Sequence, residues 1–344
     1  MIKVFIIDDS MSVRNGFRKI LTNHEEIAII GEAVNPVDAF TEFKKVGLPD
    51  VFILDIEMPK MDGLTFLKKI NNQRPTPTIM CSSLLKKGSD ELIEALSLGA
   101  FAVIEKPKMQ INDFLNTYKD DLITQIKAAA GAKINYIKES KKHLQNESKD
   151  HIIHKLSSNI VAIGSSTGGV QVLEEIFTSL SPNHPAIVVV QHMPTGFTQS
   201  FAKRLNSTCK NSRIIEAKEG DELKTNTIYI APGEKHIEIV KESFTYIIKI
   251  KDYPRVDFHK PSATVLLTSI SKVATSNATG FILTGMGVDG SKGLLKMRNA
   301  GSNTYSQDEK SSTVYGMPKA AVTIGASMKE LSILNIIKTI NNIT

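Results

Sequence analysis

The sequence contains few cysteines and no long apolar segment, and each shortage excludes a class of protein. Only Cys81 and Cys209 occur, too few for a disulfide framework or for a zinc site built from cysteines. No apolar run reaches the roughly 20 residues that cross a bilayer. The N-terminal segment MIKVFIIDDS becomes acidic before the apolar part of a secretory signal could form. We therefore expect a soluble, cytoplasmic protein.

Positive charge is not concentrated in one part of the chain. The formal net charge is +6, yet residues 1–120 are slightly acidic and residues 158–344 are mildly basic. Proteins that bind nucleic acid usually carry a dense basic stripe, or a basic helix within a helix-turn-helix pattern, and the sequence has neither. We expect no nucleic acid partner. The mildly basic half suits an acidic protein partner about as well as it suits ordinary solvated surface.

The length of 344 residues predicts two domains. In the first 120 residues, strand patterns alternate regularly with helical patterns, which is typical of an α/β fold. The predicted strands cover residues 3–7, 28–33, 50–54, 77–81 and 101–104.

A polar segment separates the two halves of the chain. From residue 131 to 157 the apolar periodicity is lost and lysine, serine, asparagine and histidine become frequent, which predicts an exposed linker. A second α/β pattern then begins with NIVAIGSSTGG. The predicted organisation is a first domain over residues 1–120, a helix and linker over 121–157, and a second domain over 158–344.

Acidic residues follow two predicted strands of the first domain. Asp8 and Asp9 come after KVFII, and Asp55 comes after VFIL. Open α/β sheets build their sites at the carboxyl ends of parallel strands, where these carboxylates would repel one another unless a divalent cation lay among them. All-oxygen ligands with room for water suit Mg²⁺. The metal and the ammonium of Lys106 could neutralise a phosphoryl group that is transferred to one carboxylate.

The first domain resembles the response-regulator receiver family. The resemblance rests on the spaced motifs IDDS, LDIEMPKMDG, CSS and KP. It implies a flavodoxin-like fold in which Asp55 accepts the phosphoryl group, Ser82 is the switch hydroxyl, and Lys106 pairs with the phosphoryl oxygens. The protein ligands of Mg²⁺ that it implies are Asp8, Asp9, Asp55 and the backbone carbonyl of Glu57.

The motif GSSTGG at residues 164–169 is the most informative feature of the second domain. It follows the apolar strand NIVAI and leads into the helical pattern VQVLEEIF. A serine at such a turn can be a nucleophile, and the amides of the following helix N-terminus can stabilise an oxyanion or bind phosphate. Turns of this kind are more often phosphate-binding loops or simple connections. The motif matches neither the Walker A pattern nor the dinucleotide-binding fingerprint.

Two further residues favour the nucleophile. His192 follows the apolar strand of AIVVVQHMPTGF, and Asp289 follows a strand and a glycine-rich turn in GFILTGMGVDG. A serine, a histidine and an aspartate at strand ends of one sheet can meet as nucleophile, base and orienting acid. Each of these residues alone is more often structural, but the three together indicate catalysis.

The second domain resembles the catalytic domain of chemotaxis protein-glutamate methylesterases, the CheB family, whose members share the order of receiver, linker and catalytic domain. The motifs are GSSTGG, QHMPTGFTQSFAKRL, YIAPGEKH, HKPSATVL and ILTGMGVDG, in that order. The resemblance implies a doubly wound, mostly parallel α/β catalytic domain with Ser166 as nucleophile, His192 as base and Asp289 as orienting acid. Ser165 stands where the family often has alanine, and Val288 where it often has asparagine.

The same resemblance implies a phosphorylation-regulated enzyme that hydrolyses glutamyl methyl esters on methyl-accepting chemoreceptors, releases methanol, and can deamidate receptor glutamines. The amide of Thr167 and the backbone of Met286 would form the oxyanion hole. Mg²⁺ is implied at the receiver, and no cofactor in the esterase site. A chemotaxis histidine kinase would phosphorylate Asp55, and the membrane would be reached only through the receptors.

Two other functions fit parts of the sequence. One is a receiver-linked serine hydrolase that acts on a different ester or amide, which a test of methanol release from methylated receptors would distinguish. The other is a response regulator whose output domain only binds a protein or DNA, which a gel shift insensitive to replacement of Ser166 would support. The serine, histidine and aspartate set favours the enzyme over the binding protein.

Overall fold

The computed structural model describes residues 1–22, 24–82, 90–107, 112–132, 155–193 and 196–343, with the backbone alone for 112–117. The chain divides into two compact units, Met1–Ser140 and Lys141–Thr344. Within the described ranges, no helix is both long enough and apolar enough to cross a membrane.

The first unit is an α/β fold with one parallel sheet. Its strands are β1 (Ile2–Ile7), β2 (Ile27–Ala33), β3 (Val51–Asp55), β4 (Thr78–Ser82) and β5 (Ala102–Glu105). Its helices are α1 (Met11–Leu21), α2 (Pro36–Val46), α3 (Gly63–Gln73), α4 (Asp90–Ser97) and α5 (Asn112–Ala130). The strand order is β2-β1-β3-β4-β5, and every neighbouring pair is parallel. The strands predicted from periodicity agree with the observed ones to within one residue at each end.

The strand order of the first unit determines where its site lies. The chain goes from β1 to β2 on one side and then returns to β3 on the other side of β1. A crevice opens at the carboxyl ends of β1 and β3, where the order reverses. All five residues of β3 are buried, as expected for a strand in a parallel sheet that is covered on both faces. The predicted acidic clusters therefore lie at the point where this fold builds its sites.

The helix α5 continues to Ala130, so the boundary predicted at residue 120 falls inside it. Of the predicted linker at 131–157, residues 133–154 lie outside the described residues.

The second unit contains a larger sheet and a separate hairpin. Its strands are β6 (Ile160–Ser165), β7 (Ala186–Gln191), β8 (Arg213–Glu216), β9 (Thr227–Ile230), β10 (His236–Glu242), β11 (Thr245–Lys251), β12 (Ala278–Ile282), β13 (Asn303–Gln307) and β14 (Lys329–Leu331). Its helices are α6 (Gly169–Thr178), α7 (Phe197–Thr208), α8 (Ala263–Val273), α9 (Ser291–Asn299), α10 (Met317–Thr323) and α11 (Ile333–Asn341). The sheet has the order β14-β13-β12-β6-β7-β9-β8, and β10 and β11 form an antiparallel hairpin. The mostly parallel, doubly wound α/β prediction is confirmed.

The strand β6 is the centre of the second unit. Every residue of β6 and of β7 is buried, because helices cover both faces of such a sheet. The chain first builds the sheet from β6 toward β7, β9 and β8, and later adds β12, β13 and β14 on the other side of β6. The order therefore reverses at β6, and the crevice at its carboxyl end is the expected place for a site.

Candidate active site

The three residues predicted as a triad follow three neighbouring strands. Ser166 comes directly after β6, His192 directly after β7, and Asp289 lies in the loop between β12 and α9. In the sheet β6 lies between β7 and β12. The parallel register pairs Ser165 with Gln191, the last residues of β6 and β7. Ser166 and His192 therefore occupy equivalent positions just beyond the sheet edge, on strands about 4.8 Å apart.

The side chains of Ser165 and Gln191 lock this register. Ser165 Oγ donates to Gln191 Oε1 over 2.6 Å, and Gln191 Nε2 donates to the carbonyl oxygens of Ser166 (2.9 Å) and His192 (3.0 Å). Ser165 is completely buried, so its hydroxyl cannot reach a substrate. One glutamine therefore ties together the backbones of Ser166 and His192.

A tight turn carries Ser166 from β6 to the N-terminus of α6. The Ser166 amide donates to Thr284 O over 3.0 Å, and its carbonyl accepts from Gly169 N over 2.8 Å. Gly168 has φ +79°, and a Cβ there would come within 2.5 Å of Thr313 Oγ1. Only glycine fits both the left-handed backbone and the close contact. The Ser166 side chain is left partly exposed, as a nucleophile on a strand-to-helix turn must be.

The imidazole of His192 is held by Asp289. Its Nε2 lies 2.8 Å from Asp289 Oδ2. Because an ionised carboxylate only accepts, Nε2 carries the proton and Nδ1 is left with a lone pair. Nδ1 is buried and has no hydrogen-bond partner among the described residues. It therefore makes no hydrogen bond to the hydroxyl of Ser166 in this structure. Hydrogen bonds between catalytic groups are often long in free enzymes and shorten when substrate binds.

Asp289 is fully buried and lies against the N-terminus of α8. Burial by itself would raise the pKa of Asp289, but hydrogen bonds from His192, the Ser262 hydroxyl and the Thr264 amide hold that pKa well below its usual value. The positive end of the helix dipole also favours an anion here. Apart from His192, the donors to its carboxylate are the Ser262 hydroxyl (2.7 Å) and the amides of Ala263 (2.7 Å), Thr264 (3.0 Å) and Gly290 (2.9 Å).

The two residues predicted for the oxyanion hole lie beside Ser166. Thr167 is its neighbour in sequence, and Met286 follows Gly285, where a Cβ would come within 2.6 Å of Ser166 Cβ. A glycine at 285 is therefore needed for the two chain segments to approach so closely. The backbone amides of Thr167 and Met286 donate to no backbone or side-chain acceptor within the described part of the chain. Two free amides next to the serine are what a developing oxyanion requires.

In the first unit, the three predicted metal ligands with carboxylates come together. One carboxylate oxygen from each of Asp8, Asp9 and Asp55 lies within 4.8 Å of the others. Asp8 and Asp55 are buried and Asp9 is exposed. Lys106 Nζ lies 2.7 Å from Asp55 Oδ2 and 3.1 Å from Asp8 Oδ2. The lysine neutralises part of the negative charge of this cluster.

The electrostatics of this cluster fit a hard divalent cation. Burial is the main cause that raises the pKa of Asp55 to about 6; the charge of Asp8 acts in the same direction, and the hydrogen bond from Lys106 opposes it. Burial also raises the pKa of Asp8. Both shifts show that the one ammonium of Lys106 does not fully compensate the buried carboxylates. An all-oxygen donor set with excess negative charge suits Mg²⁺.

The other predicted receiver residues lie at the same edge of the sheet. Ser82 is the last residue of β4, and the residue before it, Cys81, pairs with Asp55. The Ser82 carbonyl accepts a hydrogen bond from the Lys106 amide over 3.0 Å. Glu57 lies two residues after Asp55 and its side chain is exposed. Its position is compatible with a role of the backbone carbonyl alone.

Some residues of the sites were not identified from the sequence. Gln191 stands inside the motif QHMPTGF, and Ser262, Thr264 and His259 stand inside HKPSATVL. No pattern in these motifs reveals that α8 begins at the carboxylate of Asp289. In the first unit, Arg14 donates to the carbonyls of Asp8 (2.7 Å) and Asp9 (3.2 Å) and thereby shapes the acidic loop.

Comparisons with known proteins cover both units. The family described as CheB methylesterase matches residues 161–340, and the response regulator receiver domain matches residues 4–118. A Leptospira interrogans protein named protein-glutamate methylesterase/protein-glutamine glutaminase 3 is 46% identical over 95% of each chain. A Hahella chejuensis protein named protein-glutamate methylesterase/protein-glutamine glutaminase 2 is 43% identical over 96% of this chain and 93% of its own.

A solved structure extends the likeness to three dimensions. The catalytic domain of Thermotoga maritima CheB methylesterase is 35% identical and has a TM-score of 0.53, covering 55% of this chain and all of that one. The matched region of the second unit includes the glycine-rich turn, the strand end at β7 and the loop before α9. The chain therefore belongs to the CheB methylesterase family and is a hydrolase with an N-terminal response regulator receiver domain.

Proposed function

We propose that Ser166, His192 and Asp289 form the catalytic triad with which this chain hydrolyses methyl esters of glutamate side chains on methyl-accepting chemoreceptors. The names of the Leptospira and Hahella relatives support the methylesterase reaction and a second reaction on glutamine side chains. The alternative of a non-catalytic output domain is not favoured, because relatives that match nearly the whole length of this chain are named as methylesterases and glutaminases.

One observation carries the assignment of the triad. His192 presents Nε2 to Asp289 at 2.8 Å and keeps a buried Nδ1 without a partner among the described residues. A histidine with one nitrogen held by an anion and the other without a partner, at a strand end next to that of a serine, has the arrangement of a general base. Asp289, whose pKa is held well below its usual value, remains charged and stabilises the imidazolium that forms.

Acylation follows from this arrangement. Ser166 Oγ attacks the ester carbonyl carbon while His192 Nδ1 accepts the hydroxyl proton. The carbonyl oxygen becomes an oxyanion, which the amides of Thr167 and Met286 can receive. When the bond to the methoxy oxygen breaks, His192 returns the proton to that oxygen and methanol leaves. The glutamyl group remains on Ser166 as an ester.

Deacylation repeats these steps with water as the nucleophile. His192 takes a proton from the water as its oxygen attacks the acyl carbon, and then protonates Ser166 Oγ as the acyl bond breaks. The products are a glutamate carboxylate and the free serine. A glutamine side chain can pass through the same tetrahedral geometry, with His192 protonating the leaving nitrogen so that ammonia departs.

We further propose that a chemotaxis histidine kinase phosphorylates Asp55. A carboxylate oxygen of Asp55 would attack the phosphorus of a phosphohistidine, and the histidine nitrogen would leave as an acyl phosphate forms. Mg²⁺ bound by the acidic cluster and the Glu57 carbonyl would neutralise the phosphoryl oxygens. Lys106, now paired with Asp55 at 2.7 Å, and the Ser82 hydroxyl could turn to those oxygens and report the modification.

The direct test measures methanol release from receptor membranes whose glutamate methyl esters carry a labelled methyl group. Full-length protein should release labelled methanol, and a phosphodonor with Mg²⁺ should increase the rate. Membranes that carry unmethylated receptors are the control. If the protein cleaved a simple chromogenic ester but released no methanol from receptors, the substrate assignment would be wrong and a hydrolase for another ester would be favoured.

A further inference from the structure

His259 lies in a short turn between the β10–β11 hairpin and α8. Val256 and His259 exchange two backbone hydrogen bonds, of 3.1 and 3.0 Å. The two residues between them, Asp257 and Phe258, have φ of 49° and 68°. Positive φ at non-glycine residues is energetically unfavourable and persists only where the surroundings impose it. The shape of this turn is therefore maintained by contacts elsewhere.

The turn is anchored to the groups that hold Asp289. Asp257 Oδ2 accepts from Thr264 Oγ1 over 2.8 Å, and Asp257 Oδ1 lies 3.6 Å from Lys292 Nζ. Thr264 Oγ1 in turn accepts from Gly290 N over 2.8 Å, and the Thr264 amide donates to Asp289 Oδ1 over 3.0 Å. The position of the turn is thus fixed relative to the carboxylate that orients His192.

The ring of His259 lies flat against the ring of His192. Their centroids are 3.7 Å apart and their planes differ by 9°. Asp289 holds His192 through one nitrogen only, so this bond alone would still let the imidazole tilt about it. Contact of a second ring over the whole face removes that tilt. His192 is thus restrained at one edge by Asp289 and on one face by His259.

The charge state of His259 suits this contact. Burial is the main cause that lowers the pKa of His259 to about 4, and a positive charge on His192 acts in the same direction. The charged groups around it act in both directions, since Arg255 lowers this pKa while Asp289 and Asp257 raise it. At neutral pH the ring is therefore uncharged and does not repel the imidazolium that His192 becomes during the reaction.

We propose that His259 is a positioning residue that stacks on His192 and keeps Nδ1 directed at Ser166 and Nε2–H directed at Asp289. The proposal rests on the proposed triad, in which His192 is the base. His259 has no part in proton transfer; its ring acts through the orientation of its neighbour. A flat, neutral ring of any kind should therefore replace it, and a side chain without a ring should not.

Three substitutions in the full-length protein test this role. His259→Phe keeps a flat neutral ring, so its kcat should stay within about threefold of that of the unsubstituted protein. His259→Ala should lower kcat by about tenfold or more with KM nearly unchanged, because a small misplacement of a catalytic group is costly. His259→Lys adds a cation, so it should lower kcat and move the acid limb of the pH profile to lower pH, since the cation disfavours protonation of His192. Phe244→Ala, at the exposed tip of the β10–β11 hairpin, is the control.

A spectroscopic measurement makes the test independent of activity. The ¹⁵N resonances of His192, assigned by comparison with His192→Gln, report which nitrogen carries the proton. The full-length protein and His259→Phe should show a protonated Nε2 and an unprotonated Nδ1, and His259→Ala should show a mixture of tautomers. Unchanged resonances and unchanged kcat in His259→Ala would overturn the proposal, as would equal losses in His259→Ala and His259→Phe. If Ser166→Ala kept its activity, the triad itself would be wrong, but the resonances would still decide the role of His259.

Discussion

The hydroxyl of Ser165 donates a hydrogen bond to Gln191 Oε1 over 2.6 Å, and both side chains are buried. This hydrogen bond joins the last residues of β6 and β7. The residues that follow the two strands, Ser166 and His192, lie just beyond the edge of the sheet. Two consecutive serines in one motif thus have different environments. One is part of the packing, and the other is available to a substrate.

The two serines should respond differently to the same substitution. Ser166→Ala should abolish nearly all methanol release without unfolding the domain, because the nucleophile is lost while packing is preserved. His192→Ala should cost about as much, since members of a triad act as a unit. Ser165→Ala should retain most activity but lower the stability by about 1–3 kcal/mol, because Gln191 Oε1 is left buried without its donor. Methanol release and a thermal melt of each variant check this, and an active Ser166→Ala protein would disprove the assignment.

Replacing Asp289 by asparagine should damage both activity and stability. An amide cannot accept from every donor around it, so His192 should turn to the other tautomer and kcat should fall by about 10³–10⁴. The folded protein depresses the pKa of Asp289, so this group contributes stability that is present above the unfolded-state pKa of about 4 and is lost as the pH falls below it.

The stability gap, which is the difference in the free energy of unfolding between the unsubstituted protein and Asp289→Asn, should therefore narrow as the pH falls from 5 toward 3. Urea midpoints at several pH values measure the gap. Glu222→Gln, at an exposed carboxylate of the same unit, is the matched control and should show little gap at any of them. A gap for Asp289→Asn that stays constant over this range would argue against a depressed pKa.

Asp55→Asn should prevent base-labile incorporation of phosphate from a small phosphodonor with Mg²⁺. The amide lacks the nucleophilic oxygen pair of the carboxylate, while Asp8 and Lys106 remain in place. Basal release of methanol should be unchanged, because the triad lies in the other unit. Asp62→Asn, at the N-cap of α3, is the control and should still be labelled. A comparable level of label in Asp55→Asn would show that another residue is the acceptor.

Binding of Mg²⁺ to the receiver should strengthen as the pH rises through about 6. Burial raises the pKa of Asp55 to about 6, so protons compete with the metal below that value. Because the pKa of Asp55 is raised, this carboxyl contributes stability to the metal-free receiver below the unfolded-state pKa of about 4, and this contribution is lost as the pH rises through 6. Calorimetric titration with Mg²⁺ at pH 5 and pH 7.5 should show the tighter binding at pH 7.5, and equal affinities would contradict the shift.

A fragment that begins near residue 150 tests the regulation. The second unit contains its own core, and the Thermotoga catalytic domain has been solved alone, so the fragment should fold. If the unphosphorylated receiver reduces the fraction of enzyme open to substrate, the rate falls by that fraction. The fragment should then be faster than the unphosphorylated full-length protein and indifferent to phosphodonor. A fragment slower than the full-length protein would instead indicate a receiver that only stimulates.

The sequence by itself was sufficient to predict the strands and the polar residues that follow them. Runs such as VFILD and NIVAI are continuous and apolar because their strands are buried on both faces, and this local property survives in a single sequence. Asp55, Ser166 and His192 stand directly at the ends of such runs. Their placement at the edges of the two sheets was therefore predictable.

Only the tertiary structure decided which atoms meet. That Ser165 is sealed by Gln191, that Asp289 lies against the N-terminus of α8, and that His259 stacks on His192 all join residues from distant parts of the chain. Periodicity reports burial along one element, but it carries no information about the loops that bring two elements together. The hydrogen bond that holds His192 Nε2 and the depressed pKa of Asp289 arise from those long-range contacts, and so they could not be read from the sequence.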